Sequence, residues 1–281
     1  MKILITGANG QLGQEVVRKL EKQEKNLTAL GHDRLDVGNL KQVLDIFEDT
    51  KPNIVINCSA YNQVDKAEEQ KEIAYRTNAI GPKNLAFASE KYRAFLVHYS
   101  TDYVFDGTKQ TLYIEEDNPE PLSEYAQSKY LGELFLKEET ENYLIFRTSW
   151  VYGQGKQNFL YKLTQWAQTQ EYLKIACDEF SVPTSTKTIV EVTLKAIDEG
   201  LTGVYHLVNS GFTSRFEWAR EFLKLKGINK FIYPAHQSDF NLPARRPRFS
   251  AMSNEKICKV TGIQIRDWKE EMKGLVDKQK I

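Results

Sequence analysis

Short unbroken apolar runs alternate with longer stretches in which apolar residues recur every three or four positions. The runs Lys2–Thr6, Leu27–Leu30, Ile54–Asn57, Ala94–Ser100 and Tyr143–Thr148 predict buried strands. Between them, Gln11–Lys22, Leu40–Asp49, Glu68–Lys91 and Glu124–Thr140 predict helices. Strands that are apolar at successive positions need cover on both faces. Strand and helix in alternation, with such strands, predict an α/β fold: a Rossmann-type, doubly wound parallel sheet.

The pattern weakens after about residue 150. Phe159–Thr169, Thr188–Glu199 and Arg215–Lys226 predict helices, and Tyr172–Ile175 and Gly203–Val208 predict strands. Asn241–Arg248 is a loop rich in Pro and Arg. The expected organisation is a first domain over 1–150 and a smaller region over 151–281, interleaved with the first and joined without a linker.

Composition narrows the classes. The chain has 281 residues, 41% hydrophobic and 27% charged, with 38 basic side chains against 38 acidic ones. A net charge of zero argues against a nucleic-acid partner or an anionic membrane. No signal peptide is expected, because the first residues lack a basic segment followed by an apolar one. No apolar stretch is long enough to span a bilayer, so a cytoplasmic protein is expected. Cys58, Cys177 and Cys258 are odd in number and far apart, which predicts free thiols in a reducing compartment. His32, His98, His206 and His236 show no metal-ligand spacing.

The first predicted turn carries Thr6-Gly7-Ala8-Asn9-Gly10-Gln11-Leu12-Gly13. Glycines at this spacing allow a tight turn and close approach to a pyrophosphate, and the helix that follows offers free N–H groups to it. Alone, the motif is an ordinary glycine-rich loop; at the first strand–helix turn of a parallel pattern it predicts dinucleotide binding over the 1–150 domain. At the end of the second strand, His32 and Arg34 suit a 2′-phosphate, whereas Asp33 suits the ribose hydroxyl of NAD. The balance favours NADPH and leaves NADH open. Asp36 and Val37 either edge the adenine or cap the helix that starts near Leu40.

The fourth strand delivers Ser100, Thr101 and Asp102 to the crevice beyond the strand ends, where ligands of such sheets bind. Thr101 can donate a hydrogen bond to a substrate oxygen. Pro119 and Pro121 fix the approach to a helix carrying Tyr125 and Lys129, which at i and i+4 share one face. A cation beside a phenol lowers its pKa. Bringing Tyr from near 10 to neutrality takes about 4 kcal/mol, which Lys129 and a cationic nicotinamide would together supply. Y-x-x-x-K alone is common; with the glycine turn and Ser100-Thr101 it predicts proton transfer coupled to hydride transfer.

Further segments are informative together: Asn57 to Glu68, Thr77-Asn78-Ala79-Ile80-Gly81, Ser100 to Gly107, Arg147 to Gly153, Asn158-Phe159, Asp178 to Thr184, and Arg246-Pro247 with Ser250. With the turn and the Tyr–Lys pair, they make the chain resemble the extended short-chain dehydrogenase/reductase family almost from end to end. Within it, the chain resembles the dTDP-4-dehydrorhamnose reductase group. The resemblance implies reduction of a 4-keto group on a dTDP-linked sugar, giving dTDP-L-rhamnose for cell-surface polysaccharide. It implies Tyr125 as proton donor, Lys129 as the residue holding the nicotinamide ribose, and Thr101 as the residue orienting the keto oxygen.

By the same resemblance Gly10, Gln11, Leu12, Asp36, Val37, Ala60, Tyr61 and Asn62 contact the cofactor, with Gly7 and Gly13 shaping the turn. Val64, Tyr103, Trp150 and Asn158 fall on the sugar-nucleotide side, with Asp102 next to Thr101. Arg246, among Arg245, Pro247 and Arg248, can grip a diphosphate with both terminal nitrogens. Magnesium is associated with some members through positions such as Glu15 and Glu191, which have no local metal-ligand spacing here. A homodimer is left open.

Two alternatives compete. A 4,6-dehydratase or epimerase on this fold needs an extra acid and base, for the dehydratase an Asp-Glu pair after the Thr; here Asp102 is followed by Tyr103. A non-catalytic regulatory subunit that binds NADP would have no need of Tyr125, Lys129 and Thr101.

Overall fold

The five strands expected from the apolar runs lie parallel: β1 (Lys2–Thr6), β2 (Asn26–Leu30), β3 (Ile54–Asn57), β4 (Phe95–Thr101) and β5 (Tyr143–Thr148). This computed structural model describes residues 1–23, 25–277 and 281. A sixth parallel strand, Gly203–His206, adds beside β5, so the sheet order runs from that strand through β5, β4, β3 and β1 to β2. The sixth strand comes from beyond residue 150.

Side chains along a strand alternate between faces, and the two cores follow that period. Ile3, Ile5, Ile54, Ile56, Val97 and Phe146 pack under α1 (Gln11–Glu21) and α8 (Thr186–Asp198) through Val16, Leu20, Ile189 and Val192. Leu4, Val55, Leu96 and Ile145 face the other way, against Val43 and Phe47 of α2 (Leu40–Thr50), Leu85 of α5 (Gly81–Tyr92) and Leu136 of α6 (Glu124–Glu139). Each fully buried side chain of this size contributes about 1.5–3 kcal/mol. A third core joins α7 (Phe159–Thr169), α9 (Arg215–Leu225) and α11 (Trp268–Asp277) through Leu163, Trp218, Phe222 and Met272. The short helix α10 (Glu255–Thr261) closes the α8 side through Ile257. Among the described residues no helix is long and apolar enough to cross a membrane.

Side-chain caps set several helix starts. Asn39 accepts from the Gln42 N–H and begins α2, so the cap is not Asp36. Ser123 accepts from the Ala126 N–H and begins α6. The start of α1 is different: Gly10 occupies the cap position with no side-chain bond, leaving first-turn N–H groups free for a ligand.

The continuous helix expected over Glu68–Lys91 is broken. Short helices α3 (Val64–Ala67) and α4 (Lys71–Tyr75) precede a π-helical turn at Arg76–Ile80, and α5 then begins at Gly81. Pro82 has no N–H to return to the carbonyl of Asn78. That carbonyl lies against α6, where a Cβ on Gly132 would stand 2.1 Å from it. The wide turn and the glycine let the two helices meet backbone to backbone.

Gly132→Ala should therefore destabilise the chain by about 1–3 kcal/mol despite alanine's better helix propensity, because the obstructing atom is backbone. Urea unfolding would show a lower midpoint; an unchanged or higher midpoint would mean the helices can separate freely.

Candidate active site

A cavity of about 650 Å³ runs along the C-terminal ends of β1, β3, β4 and β5. At one end it is lined by Gly7, Gly10, Gln11 and Leu12 of the glycine turn. Gly7 sits at φ +64°, and a Cβ there would lie 2.6 Å from the Cys58 and Ser59 backbone. Gly13 lies outside the lining, but its missing side chain lets α1 close on the Gly7 carbonyl, which a Cβ would meet at 2.3 Å. The uncapped first turn of α1 thus opens onto the cavity and suits a pyrophosphate.

His32, Asp36 and Val37 line the same side. Asp36 accepts from the Gly38 N–H at 2.9 Å and pairs with Arg76, a cation the sequence did not single out. Arg34 is exposed and lies outside the lining. Ala60, Tyr61 and Asn62 form a further stretch of the lining. That wall is held by Asn78, which accepts from the Tyr61 N–H at 2.8 Å and donates to the Tyr61 carbonyl and the Ser128 hydroxyl at 3.0 Å each. Asn78 is fully buried in the π turn and ties the loop to α6.

Thr101, Asp102, Tyr125 and Lys129 all line this cavity. Lys129 is 2% exposed and donates to the Tyr99 carbonyl of β4 at 2.6 Å. Burial lowers its pKa to about 8, against the pull of Glu133, which raises it. Tyr125 was expected to be shifted down by Lys129; instead it is pushed up to about 12. Burial is the largest cause, the Asp102 charge adds to it, and hydrogen bonding with Thr101 partly offsets it. Lys129 is not among the causes of this shift; one of its N–H donors meets the Tyr99 carbonyl.

Asp102 accepts from Ser250 at 2.5 Å, Ser181 at 2.7 Å and Thr101 at 3.2 Å. Burial raises its pKa to about 6, and these three bonds pull back. Cys58, on the cavity wall, is a thiol pushed up to about 12 by burial. All three cysteines are free.

Trp150 lines the cavity at a left-handed φ of +39°, a strained position for an indole. The Arg215 guanidinium lies 3.8 Å from its ring centroid and pairs with Glu179 at 3.0 Å. Glu179 in turn accepts from the Tyr103 hydroxyl at 2.9 Å. Tyr103 stands edge-on to Tyr125 at 6.2 Å and, with Val64, packs behind it rather than on the cavity wall. Glu179 lies in the Asp178–Thr184 segment noted in the sequence, whereas Arg215 was not singled out; the two meet only through folding.

Asn158 also lies outside the lining. It caps α7 through the Tyr161 N–H at 3.0 Å and donates to Gln11 at 2.6 Å, joining the glycine turn to the second half. Arg246 directs both terminal nitrogens at Asp65, 3.0 and 2.7 Å away. Glu15 pairs with Arg18 at 2.6 Å, and Glu191 faces Lys187 at 4.0 Å. Among the described residues no group of three His, Cys, Asp or Glu side chains is placed to hold a metal ion, so a magnesium site through Glu15 and Glu191 has no support.

The sequence profile described as RmlD substrate binding domain matches residues 1–281. A dTDP-4-dehydrorhamnose reductase of Burkholderia thailandensis is 37% identical over 286 aligned positions, covering 96% of each chain. A crystal structure of a dTDP-4-dehydrorhamnose reductase from Clostridium acetobutylicum superposes with a TM-score of 0.96 at 41% identity, covering 99% of both chains. The enzyme of the same name from Bacillus anthracis, solved in complex with NADP, superposes with a TM-score of 0.95 at 34% identity over 99% of both chains.

Replacing Asn78 with alanine strands buried partners on Tyr61 and Ser128, at about 1–3 kcal/mol for each group left unpaired. Amide exchange at Tyr61 should quicken and the unfolding midpoint should fall. A variant with wild-type exchange at Tyr61 would show that something else holds the loop.

Proposed function

This chain belongs to the RmlD substrate binding domain family, and from that premise we propose how its cavity reduces a sugar-nucleotide ketone. It is a dTDP-4-dehydrorhamnose reductase: the 4-keto group of dTDP-4-dehydro-β-L-rhamnose is reduced to give dTDP-L-rhamnose. One observation carries the chemistry. Tyr125, Lys129 and Thr101 line the same cavity as the glycine turn, so a proton donor and a dinucleotide cradle face one space. The reduced nicotinamide, when bound, supplies the hydride.

The remaining roles belong to the chain's own residues. Thr101 orients the keto oxygen at the end of β4. Tyr125 gives its proton to that oxygen as it gains negative charge. A phenol held near 12 keeps its proton at neutral pH, and an alkoxide is more basic than a phenolate, so the transfer runs downhill. Lys129, charged below about 8, holds the ribose hydroxyls and steadies the phenolate left behind. Elimination of water would need a second carboxylate beside Asp102; the next residue is Tyr103, whose hydroxyl is committed to Glu179.

NADPH is the proposed donor. Supporting it are His32 on the cavity wall, able to face a 2′-phosphate, and the NADP-bound relative from Bacillus anthracis. In the same proposal residues 1–150 serve the cofactor and 151–281 mainly serve the sugar nucleotide. Trp150 then forms the sugar-nucleotide wall, backed by Tyr103, Val64 and Asn158. Arg246 would exchange Asp65 for the diphosphate when the nucleotide enters.

Oxidation of NADPH, followed by absorbance with the 4-keto sugar nucleotide, tests the reading directly. Tyr125→Phe should lower kcat by about 10²–10⁴-fold while leaving NADPH affinity near that of the parent. Activity surviving that change would remove Tyr125 as donor. The rate should also fall as pH rises through about 8, where Lys129 loses its proton, and a profile flat to pH 10 would contradict that role.

A further inference from the structure

Seven positions of α6 are buried: Tyr125, Ala126, Ser128, Lys129, Gly132, Glu133 and Leu136. Most of this face is small or polar, so apolar contact does little to specify where the helix sits along the sheet. Two polar anchors do so instead. Lys129 reaches the Tyr99 carbonyl on β4. One turn on, Glu133, with no exposed surface, receives Nε and Nη2 of Arg147 on β5 at 3.0 and 2.8 Å.

The register of β4 on β5 places Ser100 opposite Arg147, so the two anchors grip adjacent strands one residue apart. A two-nitrogen fork on a carboxylate is directional and tolerates little sliding. Together with the single Lys129–Tyr99 bond four residues away on the same helix face, it fixes both the rotation and the axial position of α6, and so the position of Tyr125 one turn beyond Lys129.

We propose that the buried Glu133–Arg147 pair is a positioning device for Lys129 and Tyr125, holding the reactive face of α6 in register with β4 and β5. This rests on the roles given above to those two residues. The pair also sets the charge around Lys129. Glu133 faces it from α6 and raises its pKa, His98 from β4 is held neutral by burial and by the Lys129 charge, and Arg147 from β5 pairs with Glu133. The Arg147 guanidinium also lies 5.3 Å from the Phe105 ring. Apolar residues of similar volume often serve stability equally well, so stability alone does not account for this buried pair.

The test replaces both charges together, Glu133→Leu with Arg147→Met, so that neither is stranded. The folded double variant should keep a wild-type or higher Tm yet lose about tenfold or more in kcat, with its alkaline limb moved to lower pH because Lys129 has lost the carboxylate beside it. Glu133→Asp, which keeps the charge and shortens the reach, should lower kcat with the alkaline limb in place, and serves as well if the double variant does not fold. A double variant, or a Glu133→Asp variant, with the parent's kcat and pH profile overturns the proposal. Lys129→Met in the parent separates the two readings: if it too is fully active, the role of Lys129 has failed, not the positioning by Glu133.

Discussion

The position of α6 on the sheet is the constraint on which the site depends. Lys129 is buried and still carries a proton near neutrality, which costs desolvation that only directed partners offset. Its ammonium is met by the Tyr99 carbonyl, and that contact brings the helix down onto β4. Tyr125 is then carried to the strand ends, beside Thr101 and Asp102, where the cavity opens. On the opposite flank, Gly132 admits the Asn78 carbonyl, and Asn78 holds the Ala60–Asn62 wall. The Ala60–Asn62 wall and Tyr125 thus share one support.

The second half completes the space from a distance. Ser181 and Ser250 reach back to Asp102, and Asn158 reaches back to Gln11. Arg215 and Glu179 connect the strained Trp150 to Tyr103, which abuts Tyr125. These bonds join residues far apart in the chain, and they tie the second half to the glycine turn and to the end of β4.

Much of this was legible in the sequence, for physical reasons. β1, β3 and β5 are apolar on both faces, so their runs end where the strands end. The glycine turn was readable because Gly7 needs a left-handed backbone and Gly13 a close approach. The π turn was not, since it follows from a missing N–H at Pro82 together with a contact made by Gly132, outside any local period. The direction of the Tyr125 shift was also hidden: spacing shows that a cation is near but not how deeply the phenol is buried. Arg246 was visible as a basic residue, while its partner Asp65 lies 181 positions away.

The central claim is that hydride goes to one keto carbon and a proton to its oxygen. Turnover with NADPH deuterated at the reactive face of the nicotinamide, followed by NMR of the product, reads this directly. The account predicts one deuterium at C4 of the L-rhamnosyl unit and none elsewhere. Deuterium at another carbon, or its complete absence from the sugar, would contradict it.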